Sequence, residues 1–321
     1  MRGLLVANPA ATTTTRKVRD VLVRALSSEL EVDVVETAHR GHARELAAGA
    51  AADGVDVVVT LGGDGTVNEA ADGLLAAGPG PAVPTLAVVP GGSTNVFARA
   101  LGRSRDPVEA TGEILDSIRA GRTRLVSLGC ATASTGEEGT TEGWTDPRYF
   151  VFAAGMGFDA DVIARVERQR ARGRRSSGAL YVRAAVDAFL LGRDRRRPPM
   201  TLDHPGEPAV DGLFLALISN VSPWTYLGAR PVTPSPEASF DTGLDVFAMG
   251  RVGVVRMLHH VRQTMADRPD ARGRGVHRWH DLAEVTLTSS RPQGWQLDGE
   301  HLGTATALRV RSVPDALRVV V

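Results

Sequence analysis

The sequence predicts an α/β protein in two parts, a layered α/β domain over residues 1–125 and a β-rich sandwich domain over residues 126–321. The first part alternates short apolar runs with helical stretches, which is typical of a mostly parallel sheet covered by helices. In the second part most apolar runs have the length and β-branched content of strands. The length agrees with this division, because a chain of 321 residues usually forms about two domains.

The elements of the first part follow one another in a regular order. Each predicted strand is short and apolar, and a helical stretch follows each of them. The predicted strands are 3–7, 31–36, 55–61 and 86–89, and the predicted helices are 16–30, 42–52, 67–77, 96–101 and 107–120.

The second part is dominated by strands. Residues 132–147 are rich in Ser, Thr, Gly and Glu without apolar periodicity, and we expect an exposed hairpin loop there. The predicted strands are 125–131, 149–154, 213–219, 244–248, 283–288, 307–313 and 317–321, and the predicted helices are 160–170, 180–191 and 253–265.

A glycine-rich turn surrounds one carboxylate directly after the predicted strand 55–61. Glycines there would let the backbone adopt positive φ and approach a ligand, and a helix starting at this point directs N–H groups and a positive dipole at it. A phosphate fits such a turn. Asp64 suits a phosphate accompanied by Mg²⁺, which prefers carboxylate, water and phosphate oxygens. The turn therefore predicts a nucleotide site with Asp64 at the metal, built from Gly62, Gly63, Asp64, Gly65, Thr66, Val67, Asn68 and Glu69.

The same turn has the spacing of a capping box. Thr66 would accept from the Glu69 amide, and the Glu69 carboxylate would reach back to Thr66. A purely structural left-handed turn is the alternative interpretation of the glycines, because it explains most matches of this kind.

Small residues follow the other predicted strands in the same way. Ligands of open parallel sheets collect outside the carboxyl ends of the strands, so the repetition predicts a shared phosphate-binding edge. To this edge we assign Asn8, Pro9, Ala10, Ala11 and Thr12 after the first strand, Thr37 after the second, and Gly92, Ser93, Thr94 and Asn95 after the fourth.

These segments, in this order, resemble the diacylglycerol kinase catalytic family, which includes bacterial soluble lipid kinases and sphingosine kinases. The motifs that carry the resemblance are Asn8-Pro9, the segment 62–69, the segment 90–99, Gly157-Phe158-Asp159-Ala160 and Leu297-Asp298-Gly299-Glu300. The resemblance implies an N-terminal domain like that of NAD kinase and phosphofructokinase. It also implies ATP and Mg²⁺ as cofactors and transfer of a γ-phosphoryl group to a membrane lipid, with diacylglycerol as the expected acceptor.

The resemblance further implies that Asp298 is the base that accepts the hydroxyl proton, and that Glu300 orients it or helps to hold the metal. A plain β-turn would explain Asp298 and the glycine after it equally well on their own. Asp241 and Asp245 are similar to the acids of the family's second, structural Mg²⁺ loop. In this chain Thr242 replaces an acid of that loop, and Val96 stands where the family commonly has an aspartate.

Two other functions stay open at this point. One is a soluble-substrate kinase of the NAD kinase type, against which the late Asp-Gly-Glu motif and the apolar helix 180–191 argue. The other is a catalytically silent lipid-binding protein of the same fold, which the intact Asp64, Asp298 and Glu300 make less attractive.

Charge is unevenly distributed, although the formal net charge is zero. The segment 165–197 contains eleven arginines and three acids around the apolar helix 180–191. A solvated helix and loop would explain this run, but basic residues beside an apolar helix are also typical of a peripheral enzyme on an anionic membrane. Nucleic acid is not expected as a partner, because no aromatic residues alternate with these arginines and no nucleic-acid-binding motif is recognisable.

We expect a cytoplasmic protein that associates peripherally with the inner face of the membrane. No run of about 20 apolar residues is present, no signal peptide is recognisable, and the single cysteine, Cys130, excludes an internal disulfide. The sequence leaves a homodimer open.

Overall fold

The computed structural model describes residues 1–12, 16–136, 143–171, 178–191 and 197–321. By their internal contacts these residues form two units. The first unit comprises Met1–Leu128 together with Val313–Val321, and the second comprises Gly129–Ser312. The end of the chain, which the sequence places in the second domain, therefore belongs to the first unit.

The strands and helices occur in the following order. The strands are β1 (Arg2–Ala7), β2 (Glu31–Glu36), β3 (Val57–Gly62), β4 (Thr85–Pro90), β5 (Thr123–Ser134), β6 (Arg148–Phe150), β7 (Ala153–Gly157), β8 (Met200–Asp203), β9 (Val210–Ser219), β10 (Thr225–Leu227), β11 (Arg230–Val232), β12 (Leu244–Gly250), β13 (Val276–Leu282), β14 (Glu284–Leu297) and β15 (Glu300–Val320). The helices are α1 (Arg16–Leu26), α2 (His42–Ala52), α3 (Asp64–Leu74), α4 (Val96–Ala100), α5 (Pro107–Arg119), α6 (Phe158–Ala171), α7 (Gly178–Leu191) and α8 (Val254–Thr264).

The sheet of the first unit is parallel, with the strand order β4-β3-β1-β2. The end of β15 extends this sheet, because Val319 pairs in parallel with Leu86 of β4. The direction of strand order reverses at β1, which has β2 on one side and β3 on the other. Loops diverge at such a switch point and leave a crevice at the carboxyl edge of the sheet.

Helices cover this sheet and explain the apolar character of its strands. All residues of β3 are buried. Leu22 and Leu26 of α1 and Ile114 of α5 pack in one cluster with strand residues such as Leu5 and Val59. Burying a side chain of this size contributes about 1.5–3 kcal/mol, so this layer fixes the strands whose ends form the crevice.

The sheet of the second unit is mainly antiparallel, with the order β13-β12-β9-β7-β14-β15 and with β8 pairing to both β9 and β14. Its core includes Phe150, Met156, Ile218 and Trp295. The helices α6 and α7 pack along each other in a separate small cluster.

The predicted fold class is confirmed, since the chain is mixed α/β with a sheet-rich second part. Two predicted strands differ from the structure. Residues 149–154 form two strands, β6 and β7, because the chain bends at Val151 and Phe152. The final strands are one continuous strand, β15, which passes Asp315 at a φ of 49° without ending.

The loop predicted over residues 132–147 begins later than expected, because the preceding strand is longer. β5 continues to Ser134, which forms an isolated bridge with Trp144. Residues 137–142 of this loop lie outside the described residues. In the part of the chain that the structure describes, no helix has the length and apolarity needed to cross a bilayer.

Candidate functional site

Three turns at the carboxyl edge of the first unit's sheet are joined by hydrogen bonds. The Asn8 backbone amide donates to the Leu61 carbonyl at 2.9 Å, and the Asn8 side-chain amide donates to Thr66 Oγ1 at 3.1 Å. The Gly91 amide donates to the Gly62 carbonyl at 2.7 Å. The ends of β1, β3 and β4 are therefore held together as one edge.

Two glycines make the closest contact of this edge. A Cβ built on Gly92 would lie 2.7 Å from the Gly63 Cα, a separation that real Cβ atoms do not show. Asn95 fixes the Gly92 peptide, because its Oδ1 accepts from the Gly92 amide at 2.9 Å and its Nδ2 donates to the Gly92 carbonyl at 2.7 Å. The glycines are needed here for close approach of the two turns.

The expectation of positive φ at these glycines is wrong. The residue in the left-handed region is Asn95, with a φ of 48°, while Gly62, Gly63, Gly65 and Gly92 are not among the positive-φ residues. Asparagine tolerates this conformation because its short polar side chain can bond locally, as it does here.

The helix after the first glycine turn begins earlier than predicted. α3 starts at Asp64 instead of residue 67, and the amides of Thr66 and Val67 both donate to the Gly63 carbonyl. The amides of Asp64 and Gly65 therefore precede the first helical hydrogen bond. Gly65 is exposed, and a Cβ added to it would meet no atom within 4 Å. This helix start can accept an anion.

The predicted capping box does not form. The Glu69 carboxylate accepts from the Gly41 amide at 2.8 Å and from the Ala43 amide at 3.2 Å, so it caps α2. Thr66 Oγ1 instead accepts from Asn8. Because α3 begins at Asp64, Glu69 lies in its second turn, too far along the helix to reach back to the start.

Asp64 occupies the junction between the starts of two helices. Its Oδ1 accepts from the Phe97 amide of α4 at 3.3 Å. The residue keeps some exposed surface, but its carboxylate is surrounded by protein, and this burial raises its pKa to about 6 against the opposing effect of the amides of residues 95–97 and of Arg99. A carboxylate whose ionised form is disfavoured in this way gains most from a nearby cation.

The other residues assigned to the nucleotide differ in exposure. Val67 and Asn68 are buried in α3, so their side chains do not line an accessible surface. Thr37 lies at the same edge, because its amide donates to the Ala7 carbonyl at 2.8 Å. Pro9, Ala10, Thr12 and Ser93 are exposed, and Ala11 and Thr94 are partly exposed.

The Asp-Gly-Glu motif lies in the second unit, in the hairpin between β14 and β15. Leu297 pairs with Glu300, and the two residues between them have φ values of 47° (Asp298) and 80° (Gly299). Positive φ at both central residues is typical of a type I′ turn, for which Asp-Gly is a preferred sequence.

The Asp298 carboxylate is buried and binds three successive backbone amides. Its Oδ2 accepts from Val151 at 2.7 Å, and its Oδ1 accepts from Phe152 and from Ala153 at 2.9 Å each. These bonds hold the bend that separates β6 from β7. This role was not predictable from local sequence, and the assignment of Asp298 as the base and Glu300 as its partner stays a prediction.

A second buried carboxylate lies near this hairpin turn. Asp159, at the start of α6, accepts from Gln296 Nε2 at 2.8 Å, and the Gln296 Oε1 accepts from the Gly299 amide at 2.8 Å. Burial raises the Asp159 pKa to about 7, with the Gln296 bond acting in the opposite direction. The sequence indicates Asp159 only as part of a motif and does not single out Gln296. The available signal was one polar residue between Trp295 and Leu297 on a buried strand.

The two residues predicted for the second metal lie in different surroundings, and their assignment to a metal stays a prediction. Asp245 forms a group with Glu237 and His280 whose potential ligand atoms all lie within 4.8 Å of one another. His280 Nδ1 is 2.7 Å from Asp245 Oδ1, and burial raises the Asp245 pKa. Asp241 does not belong to this group and lies in a turn where its amide donates to Ser239 Oγ at 3.3 Å.

The basic segment 165–197 can be placed only in part, because residues 172–177 and 192–196 lie outside the described residues. Its contact with an anionic membrane stays a prediction.

Comparison with known proteins identifies the class to which this fold and these turns belong. Residues 2–131 match the model of the Diacylglycerol kinase catalytic domain. The protein named Probable lipid kinase YegS-like from Stenotrophomonas maltophilia is 30% identical over 94% of this chain and 91% of its own length. Diacylglycerol kinase of Bacillus subtilis is 36% identical, and the match spans only 34% of that relative's length. These matches define a class of lipid kinase-like proteins. The chain belongs to the family of diacylglycerol kinases and YegS-like lipid kinases, as its motifs predicted.

Solved structures share the fold. The crystal structure of a diacylglycerol kinase from Bacillus anthracis superimposes with a TM-score of 0.68 at 19% identity, covering 99% of this chain and 96% of the other. An NAD kinase from Archaeoglobus fulgidus, in complex with ATP, gives a TM-score of 0.50 at 11% identity over 100% and 94% of the two chains. The predicted likeness of the fold to NAD kinase is thus confirmed.

Proposed function

We propose that this protein is an ATP- and Mg²⁺-dependent lipid kinase that transfers the γ-phosphoryl group to a lipid hydroxyl, with diacylglycerol as the expected acceptor and phosphatidic acid as the product. The observation that carries the proposal is the contact between Gly63 and Gly92, with Asp64 directly beside it. Family membership supports the reaction class.

The phosphate-binding part of the proposal rests on the first turn of α3. The amides of Asp64 and Gly65 precede the helical ladder, the helix dipole favours an anion at this end, and Gly65 presents no side chain that would exclude one. The neighbouring turn at Gly92 is held by two hydrogen bonds with the Asn95 side chain, so its backbone conformation is fixed.

The metal part rests on Asp64. Its ionised form is disfavoured by burial, and a divalent cation at the carboxylate would remove that penalty. A single carboxylate with phosphate oxygens and water is a donor set that suits Mg²⁺. When bound, the ion would neutralise charge on the phosphates. Asp64 would hold it, and the bond from Phe97 would fix the orientation of the carboxylate.

The acceptor part rests on the Asp-Gly-Glu hairpin turn. Transfer to a hydroxyl needs a carboxylate that takes the proton as the bond to phosphorus forms. Asp298 is oriented by three amides, and Gln296 ties the amide of Gly299 to Asp159. A turn fixed on both sides keeps its carboxylates in place, which is what a positioned base requires.

The test is phosphorylation of a panel of acceptors with radiolabelled ATP. Diacylglycerol, sphingosine, ceramide and phosphatidylinositol are supplied in mixed micelles, and NAD is supplied in solution. We expect labelled phosphatidic acid, and we expect Asp64→Ala to abolish labelling while Asp33→Asn, a change at an exposed carboxylate of β2, leaves it unchanged. Labelled NADP would indicate an NAD kinase-type enzyme. Nucleotide and lipid binding without any labelled product would indicate a catalytically silent protein.

A further inference from the structure

The helix α8 exposes an apolar stripe to solvent. Val255 is 82% exposed and Leu258 is 64% exposed, while Val254 and Val261 are 44% exposed each. The spacing of these residues places them on one side of the helix, and we call them the α8 stripe. A surface helix normally turns its apolar side inward, so this arrangement requires an explanation.

The stripe is exposed although the helix is firmly anchored. Met257 packs against an apolar cluster that includes Phe214 and Phe247, and the neighbouring positions His260 and Thr264 are buried. Moreover, His260 bonds to Gln263 through Nδ1 at 2.9 Å. The helix therefore buries a histidine and a threonine and leaves a leucine and three valines outside.

Positive charge lies near the ends of the stripe. Arg251, Arg256 and Arg262 are exposed, and the segment 251–266 contains no aspartate or glutamate. The charge is a local property, because the net charge of the whole chain is zero. An apolar stripe bordered by cations is complementary to a partner that is anionic at its surface and apolar beneath it.

We propose that α8 is an interfacial helix that inserts the α8 stripe into the outer apolar layer of an anionic bilayer, with Arg251 and Arg262 among the headgroups. The choice of a bilayer rests on the proposed function, because an acceptor with acyl chains resides there. Nucleic acid offers no apolar layer to cover Leu258. A second copy of α8 would bring the same arginines against one another. The helix α8 lies outside the basic segment 165–197 in the sequence.

Insertion can be measured with a probe at the centre of the stripe. The single cysteine, Cys130, is buried, so a cysteine introduced by Leu258→Cys can be labelled selectively with an environment-sensitive dye. Val108→Cys is the matched control, because Val108 of α5 is 49% exposed. With vesicles of phosphatidylcholine and phosphatidylglycerol, we expect a blue shift and quenching by bilayer spin labels at position 258 and neither at position 108. An unchanged signal at 258 on vesicles that bind the protein would overturn the proposal.

Binding itself is tested with charged substitutions. We expect Val255→Asp with Leu258→Asp to lower the vesicle partition coefficient by about tenfold or more, because charges on the inserted face oppose burial in the bilayer. The matched control is Val21→Asp with Val108→Asp, at residues that are 50% and 49% exposed. Arg251→Gln with Arg262→Gln should weaken binding and reduce its salt dependence. Equal binding of the stripe variant and its control would overturn the proposal, as would a change from dimer to monomer with unaltered vesicle binding.

A short-chain, monomeric diacylglycerol separates this proposal from the proposed function. If both hold, the stripe variant loses phosphorylation of long-chain diacylglycerol in vesicles and keeps turnover of the short-chain analogue. If the wild-type protein inserts α8 and phosphorylates no lipid, the proposed function fails and the membrane surface stands. If the stripe variant phosphorylates both lipids at wild-type rates, the membrane surface fails and the kinase stands.

Discussion

Gln296 donates its side-chain amide to Asp159 at 2.8 Å, and its side-chain oxygen accepts from the Gly299 amide at the same distance. One residue of β14 thus links the start of α6 to the hairpin turn that carries Asp298. A buried carboxylate without a hydrogen-bond partner would lower the stability of the fold. The bond from Gln296 satisfies one oxygen of Asp159.

The first prediction concerns the charge of Asp159. Burial raises its pKa from 3.8 to about 7. The folded state therefore binds a proton that the unfolded state has lost, so stability falls as pH rises between these values. Asp159→Asn keeps an oxygen for Gln296 and removes the charge. We expect its thermal midpoint to exceed that of the wild type by a few degrees near pH 8 and by little near pH 4. Asp203→Asn, at an exposed residue of β8, is the control, and an advantage of equal size at both pH values would contradict the prediction.

The second prediction separates the two carboxylates of the hairpin turn. Asp298→Asn places an NH₂ group where a carboxylate oxygen accepts backbone amides, so we expect the free energy of unfolding to fall by about 1–3 kcal/mol. Glu300→Gln should leave stability near that of the wild type and lower kcat by roughly 10² if Glu300 assists proton transfer. Denaturant unfolding and lipid phosphorylation are measured on both variants. Wild-type stability of Asp298→Asn would show that the three amide bonds contribute little.

The third prediction uses Gly65. This residue lies in the first turn of α3 with open space around its Cβ position, so Gly65→Ala should raise stability by about 0.4–1 kcal/mol. The same methyl group would intrude on a phosphate at the helix start, and we expect ATP affinity to fall about tenfold or more. Titration calorimetry and thermal unfolding give the two values. Unchanged ATP affinity in the stabilised variant would show that no phosphate of ATP binds at this turn.

The fourth prediction concerns pH and Asp64. Its pKa, raised by burial to about 6, means that ionisation of this group lowers stability as pH rises from about 4 to 6. Asp64→Asn should therefore be more stable than the wild type at neutral pH and no more stable near pH 4. Binding of Mg²⁺-nucleotide should release a proton near pH 6, which calorimetry in buffers of different ionisation enthalpy detects. Proton release that persists in Asp64→Asn would assign it to another group.

The fifth prediction concerns Glu69. Because its carboxylate accepts from the amides at the start of α2, Glu69→Ala should lower stability by about 1 kcal/mol and increase hydrogen exchange at Gly41 and Ala43. Glu45→Ala, at an exposed residue of α2, is the control. Faster exchange confined to the first turn of α3 would instead support the capping box predicted from the sequence.

Local sequence patterns were sufficient for the fold class and for the edge where the turns meet. Helices and strands are recognised from the pattern of residues only a few positions apart, which the sequence contains in full. The bounds of β2 and α2 therefore agree with the prediction. The order of parallel strands follows from short connections, and it brings the turns after β1, β3 and β4 to one edge. Family motifs then supplied the reaction class.

The partners of individual side chains were decided only by the tertiary structure. Glu69 bonds to Gly41 and Asp298 bonds to Val151, and each pair is distant in the sequence. Any carboxylate near a turn can cap its own helix or bind another segment, and the choice depends on which backbone amides packing brings within reach and leaves unpaired. The same reason applies to α8. The sequence shows its helical period. Which face of the helix is buried depends on the tertiary structure, in which Met257 packs against an apolar cluster.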